Sequence, residues 1–158
     1  MNIEIFLPGL NEPVLVSEDK FRVVMDIVGK KFYLSKTNKA IYFNFGGAQS
    51  LARYILGYFG KRQVDHINHN QFDNTNENLR IATKSQNNAN RRKKSNTSSK
   101  YKGVSWKAYR DYWEVCIKVK GQYIYLGHFK DEIEAAKAYN VAALKYFGEF
   151  ALLNVIPE

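Results

Sequence analysis

Ten consecutive residues near the middle of the chain, Arg91 to Lys100 (RRKKSNTSSK), carry no apolar side chain, so one hydrophobic core cannot run unbroken through the sequence. A basic, serine-rich stretch of this kind reads as a connector between two compact halves, flexible without a ligand. With 158 residues, 45% hydrophobic and 15% aromatic, the chain has apolar material for two small cores. General disorder and a large multidomain enzyme are both excluded. No run approaches the roughly 18 apolar residues of a membrane span. Met1 to Leu10, with Glu4 and Pro8, lacks the pattern of a secretion signal, so a soluble cytoplasmic protein without membrane contact is expected. The single cysteine, Cys116, can close no internal disulfide and cannot supply the paired thiolates of most structural zinc sites.

The formal charge is +9, and its source is local. Residues 61 to 100 hold nine Lys or Arg against three Asp or Glu, which points to a polyanion, most simply nucleic acid.

The pattern along the chain predicts an α+β fold. Phe21 to Ile27, Lys31 to Leu34 and Ile41 to Phe45 read as short strands between turn formers such as Gly29 and Asn38. After Gly46 and Gly47, the spacing of Leu51, Ile55 and Tyr58 predicts a helix over 49–59, ending near Gly60. Beyond the connector, Trp113, Val115, Ile117 and Val119 alternate with polar residues, as in a half-covered strand. Lys120 to Gln122 make a turn into a second strand, Tyr123 to Phe129, and Lys102 to Lys107 supply a third. Asp131 with Glu134 opens an alanine-rich helix that Gly148 ends. A three-stranded antiparallel sheet on one helix leaves the other sheet face, with Glu114, Lys118, Lys120, Tyr123 and Tyr125, open to a partner such as a DNA groove.

The middle stretch is of another kind. Twelve of the residues from Asp65 to Asn90 are Asn, Asp or His, types suited to loops and ligand positions. Within it Leu79 to Ala82 reads as a strand, and Thr83 with Gln86 has the spacing of a capping box that opens a helix through Asn87 to Arg92. The string VDHINHNQFDNTNENLRIATKSQNNANRR joins an Asp-His pair, a long polar loop, a strand and an Asn in the first turn of a helix.

Taken together these residues resemble the HNH nucleases, specifically the homing endonucleases whose last motif position is Asn. The C-terminal strings YKGVSW, IYLGHF and EAAKAYNVAALKYFGEFALLN resemble the plant ethylene-response-factor DNA-binding domain, which occurs fused to HNH nucleases in phage and bacterial genomes. The resemblances imply an N-terminal mixed segment leading into a ββα-metal nuclease core at 1–92, with its motif at 64–92. A basic linker at 93–100 and a DNA-binding domain at 101–158 follow. They imply a DNA-nicking enzyme of the phage or bacterial homing type, acting as a monomer on double-stranded DNA without an obligate protein partner.

Phosphodiester hydrolysis explains the residue types. A hard ion, Mg²⁺ first and Mn²⁺ as the alternative, prefers oxygen donors such as the Asp65 carboxylate and the Asn87 amide. His66, neutral near pH 7, can take a proton from the attacking water. The resemblance makes Asn78 the middle residue of the motif, bracing the loop or orienting the imidazole; Asn74 and Asn76 compete for that role. His69 stands where relatives commonly have a turn glycine, and Asp73 is either an extra ligand or a turn residue. With a single carboxylate at the metal, affinity without DNA should be weak, and one metal with one base describes cleavage of one strand per binding event.

Arg91, Arg92, Lys93, Lys94 and Lys100 could track phosphates beside the cut. Positions matching the plant family's DNA contacts are Lys102, Ser105, Lys107, Tyr109, Cys116, Lys118, Tyr123 and Tyr125. Lysine, serine or tyrosine replaces arginine at five of them, so the plant recognition sequence does not carry over. Arg53 is a further phosphate candidate, and residues 1–47 have no assigned chemical role. Two other readings stay open: a catalytically inactive DNA-binding or regulatory protein, and a nuclease acting on RNA.

Overall fold

The fold is that of a computed structural model describing residues 1–35, 40–44 and 47–157. It is α+β, divided into two compact units, Met1–Ala82 and Thr83–Glu158. None of the described helices is long and apolar enough to cross a membrane.

Among the described residues the first unit contains three small sheets. Strands β1 (Asn2–Ile5) and β2 (Val14–Ser17) form an antiparallel pair. The two-residue β7 (Asp73–Asn74) adds to β2 in parallel, with Leu15 opposite Asp73 and Val16 opposite Asn74. Strands β3 (Phe32–Leu34), β4 (Ile41–Asn44) and β5 (Ala48–Ser50) form the second sheet. Phe32 lies opposite Phe43 with ring centres 5.4 Å apart, and both are fully buried. The third sheet pairs β6 (Gln63–His66) with β8 (Leu79–Ala82). Val14, Val16, Val24, Ile27, Leu51 and Ile55 complete the core.

Two expectations fail here for local reasons. Phe21 to Met25 is a helix, α1, entered from a 3₁₀ turn at Glu18–Lys20 that already sets helical backbone angles; its Val24 faces the core. The second helix, α2 (Leu51–Leu56), stops at Gly57, whose φ of 62° satisfies the left-handed cap before Gly60 is reached. Asn38, Phe45 and Gly46 lie outside the described residues.

In the second unit α3 (Lys84–Asn90) opens on the expected capping box. The Gln86 N–H donates to the Thr83 hydroxyl at 3.2 Å, and the Thr83 N–H donates to the Gln86 side-chain oxygen at 2.8 Å. Strands β9 (Val104–Lys107), β10 (Tyr112–Val119) and β11 (Gln122–Phe129) form an antiparallel sheet, order β11-β10-β9. Helix α4 (Glu132–Phe147), capped by Asp131, covers one face. Val115 and Ile117 point inward onto Ala135, Ala136, Tyr139 and Ala143. Small residues on the helix let the two layers approach closely.

The division between units falls ten residues before the expected linker. Helix α3 belongs with the second core: Ala89 is buried there, its carbonyl accepts from the Leu152 N–H at 3.3 Å, and the Lys120 N–H donates to Ser85 Oγ at 3.1 Å. The connector, though without apolar side chains, is anchored by its hydroxyls. Ser98 Oγ accepts from the Trp106 N–H and buried Ser99 Oγ from the Tyr101 N–H, each at 2.9 Å.

Candidate active site

The polar loop between β6 and β8 is built by its own side chains. Asn68 Oδ1 accepts from the Asn70 N–H and Asn70 Oδ1 from the Phe72 N–H, while Asp73 Oδ1 accepts from both the Thr75 N–H and its hydroxyl. This accounts for the density of Asn and Asp, because a long loop without a hydrophobic interior must satisfy its backbone this way. Asp73 is therefore a turn residue, with its other oxygen taken by Asn68 Nδ2 at 2.7 Å.

Asn78, buried, ties the two ends together. Its Oδ1 accepts from the Asn68 N–H at 2.9 Å and its Nδ2 donates to the Asp73 carbonyl at 2.7 Å. The residue against the imidazole is Asn74, whose Oδ1 lies 3.3 Å from His66 Nε2. The two roles left open for the motif's middle position thus fall to two residues. Asn74 Nδ2 donates to the Gln71 carbonyl at 2.9 Å, which fixes the amide so that its oxygen faces the ring. That amide orientation favours the tautomer with the proton on Nε2, which makes Nδ1 the basic nitrogen.

Burial holds the His66 pKa below its ordinary value, opposed by the Asn74 bond and by the carboxylates of Asp65 and Asp73. The ring is neutral at pH 7, the form a general base requires.

Asp65 is 5% exposed and lies opposite Arg80 in the β6–β8 register. Both Nε and Nη2 of Arg80 stand 2.9 Å from its Oδ2, in a buried ion pair. Sequence reasoning missed this arginine as a site residue, although the pairing was recoverable: once His66 and Leu79 close the loop, position 65 must face position 80.

The N-terminal segment, without a role in the sequence, supports the same loop. The Leu15 N–H donates to the Phe72 carbonyl at 2.8 Å. Ser17 Oγ accepts from the Asn76 N–H and Asp19 from Asn76 Nδ2, each at 2.9 Å. Arg53 has a structural role as well: its guanidinium donates to the Gly60 carbonyl at 3.0 Å and to that of Arg62.

His69 adopts φ 65°, the left-handed conformation a glycine takes without strain. His69→Gly is expected to leave thermal stability within about 1 kcal/mol and cleavage unchanged; a large loss of cleavage in a fully folded variant would give the ring a role.

Asn87 lies on α3 in the second unit, half-buried. In that unit Arg91, Arg92, Lys94 and Lys100 are exposed. Lys93 and Lys102 each direct two of their three ammonium protons at backbone carbonyls. Lys93 Nζ donates to the carbonyls of Tyr101 and, at 3.0 Å, Val104. Lys102 Nζ donates to those of Ala89 and, at 2.7 Å, Arg91. Burial lowers both pKa values, that of Lys102 to about 8.

On the open sheet face Tyr123 and Tyr125 are exposed, as is Tyr109 in the 3₁₀ turn between β9 and β10. Lys118 lies over the Tyr123 ring at 4.8 Å, and Lys107 pairs with Glu114 at 3.0 Å. Trp106 and Trp113 pack together, ring centres 4.9 Å apart.

Known proteins are similar to this chain in sequence. The family described as HNH endonuclease matches residues 55–89, from the end of α2 into α3. A protein of Acanthamoeba polyphaga mimivirus called "Uncharacterized HNH endonuclease L560" is 37% identical over 147 residues, 89% of this chain and 74% of that protein. The chain belongs to the HNH endonuclease family. Similarity to plant proteins is confined to smaller parts. The Arabidopsis thaliana "AP2-like ethylene-responsive transcription factor At1g79700" is 39% identical over 57 residues, 36% of this chain and 18% of its own length. A second, "AP2-like ethylene-responsive transcription factor At2g41710", is 48% identical over 42 residues, 27% of this chain and 10% of its own length.

As a metal site the HNH loop offers hard donors, a carboxylate with amide and carbonyl oxygens. Among the described residues no cluster of three or more His, Cys, Asp or Glu could hold an ion. Such a donor set fits a cation that keeps several waters and takes substrate phosphate, which is the habit of Mg²⁺.

Proposed function

We propose that this HNH endonuclease family member hydrolyses phosphodiester bonds of duplex DNA in a metal-dependent reaction, nicking one strand per binding event. What supports the reading is one arrangement: a neutral imidazole, its Nε2–H directed at Asn74, beside the buried carboxylate of Asp65. His66 takes the proton of the attacking water at Nδ1 as the water oxygen bonds to phosphorus and the bond from phosphorus to the departing sugar oxygen breaks. When bound, a divalent cation supplies positive charge to that departing oxygen. Asp65 is the carboxylate ligand, and Asn87 the second oxygen donor, taken from the order of the motif.

Arg80 already neutralises much of the Asp65 charge, so metal affinity without DNA is expected to be weak. The second unit is read as an ethylene-response-factor-type module that holds the duplex on Lys107, Tyr109, Lys118, Tyr123 and Tyr125, with Arg91, Arg92, Lys94 and Lys100 on phosphates. A second reading, a DNA-binding protein without catalysis, draws on the guanidinium that occupies Oδ2 of the metal carboxylate. Incubation with supercoiled plasmid and Mg²⁺ separates the two. The nicking reading expects open circles to accumulate ahead of linear DNA. Linear product from the outset would contradict single-strand cutting, and bound but intact plasmid would favour the second reading.

A further inference from the structure

We propose that a cleft of about 850 Å³ within the second unit, between α3 and the β10–β11 hairpin, grips the sugar-phosphate backbone of duplex DNA through Lys84 and Lys120. The proposal rests on the DNA-cutting reading and deepens it: Lys84 is new to the DNA contacts named above, and Lys120, expected on the open sheet face, stands at the turn that walls the cleft.

Charge is the first argument. Lys84, Arg91, Lys94, Lys102, Lys118 and Lys120 line the cleft, and no Asp or Glu does. The protons of Lys102 are engaged by carbonyls, so it supplies charge, whereas Lys84 and Lys120 are exposed. Rigidity is the second. The Lys120 N–H donates to Ser85 Oγ at 3.1 Å, which ties the hairpin turn to the first turn of α3 and holds both walls in one body. Continuity is the third. Lys118 and Tyr123 line the cleft and also belong to the open sheet face, so a strand of DNA on that face runs on to the two lysines.

The cations come from three separate segments of chain, an arrangement that suits the repeating charges of a polymer better than a single convergent phosphate. Asn87 follows Lys84 by about one helical turn, so a backbone held here is held at a set distance from that residue.

The test uses the full-length chain carrying both Lys84→Gln and Lys120→Gln, with a labelled duplex of mixed sequence titrated over a range of salt. Two lost phosphate contacts should flatten the salt slope by about 1.8 and weaken binding roughly tenfold or more near about 100 mM salt. Lys84→Arg with Lys120→Arg should bind like the unaltered protein, which separates loss of charge from loss of fold. Unchanged slope and affinity in the Gln pair, with binding lost in Lys107→Gln plus Tyr125→Ala outside the cleft, would overturn the cleft and leave the DNA reading standing. No duplex binding by the unaltered protein would overturn both. Tighter binding to single-stranded RNA, with the same loss of slope in the Gln pair, would overturn duplex DNA as the occupant.

Discussion

Replacing Arg80 by Met is expected to destabilise the first unit by about 3–5 kcal/mol, the usual cost of breaking a buried ion pair from one side. The side chains of Arg80 and Asp65 are 12% and 6% exposed, and both guanidinium contacts converge on Oδ2. Removing the guanidinium leaves the carboxylate in a low-dielectric setting without its cation. A domain of this size has roughly 5–15 kcal/mol in all, so melting should fall by well over about 10 °C. The second substitution Asp65→Leu should restore part of the loss, because replacing both members of a buried pair by apolar groups is often neutral. A shift of only a degree or two in Arg80→Met would mean that the pair contributes little to stability.

His66→Ala is expected to lower single-turnover cleavage by about 10²–10⁴ while duplex affinity stays within about twofold, since a general base acts in the chemical step and not in docking. Part of any stability change will come from Asn74, whose Oδ1 loses its partner at 3.3 Å. Asn74→Ala separates orientation from proton transfer. It keeps the imidazole but frees it to turn, so cleavage should fall by about 10–100-fold, less than in His66→Ala. Equal cleavage by His66→Ala and the unaltered protein, at matched DNA occupancy, would remove the imidazole from the reaction.

What the sequence made legible was mostly local or periodic. The capping box at Thr83 and Gln86, the alternation of Val115 and Ile117 with Lys118, and the cap at Asp131 each depend on neighbours a few residues away. The nuclease reading came from the order of Asp65, His66, Asn78 and Asn87, not from any one of them. The misses involve partners distant in the chain or hidden in the backbone. Asp65 and Arg80 meet across a strand pair, and Asn76 reaches Ser17 and Asp19 over more than fifty residues. The carbonyl partners of Lys93 and Lys102 were equally illegible, because a positive charge in a sequence does not reveal where its protons are directed. The serine-rich connector read as a boundary because hydroxyls, unlike methyl groups, leave no hydrophobic signature when they anchor a chain. Phe21 to Met25, five residues long, is too short for helical periodicity to outweigh a run of apolar side chains.

Whether Asp65 recruits a divalent cation for hydrolysis by His66 is decided by titrating Mg²⁺ into single-turnover nicking reactions of the unaltered protein and of Asp65→Asn, with plasmid binding measured in parallel. The account predicts a rate that rises from zero in chelator to a plateau for the unaltered protein, and no nicking by Asp65→Asn at any Mg²⁺ concentration despite retained binding. Nicking that persists in chelator, or an Asp65→Asn variant that cuts at the unaltered rate, would contradict it.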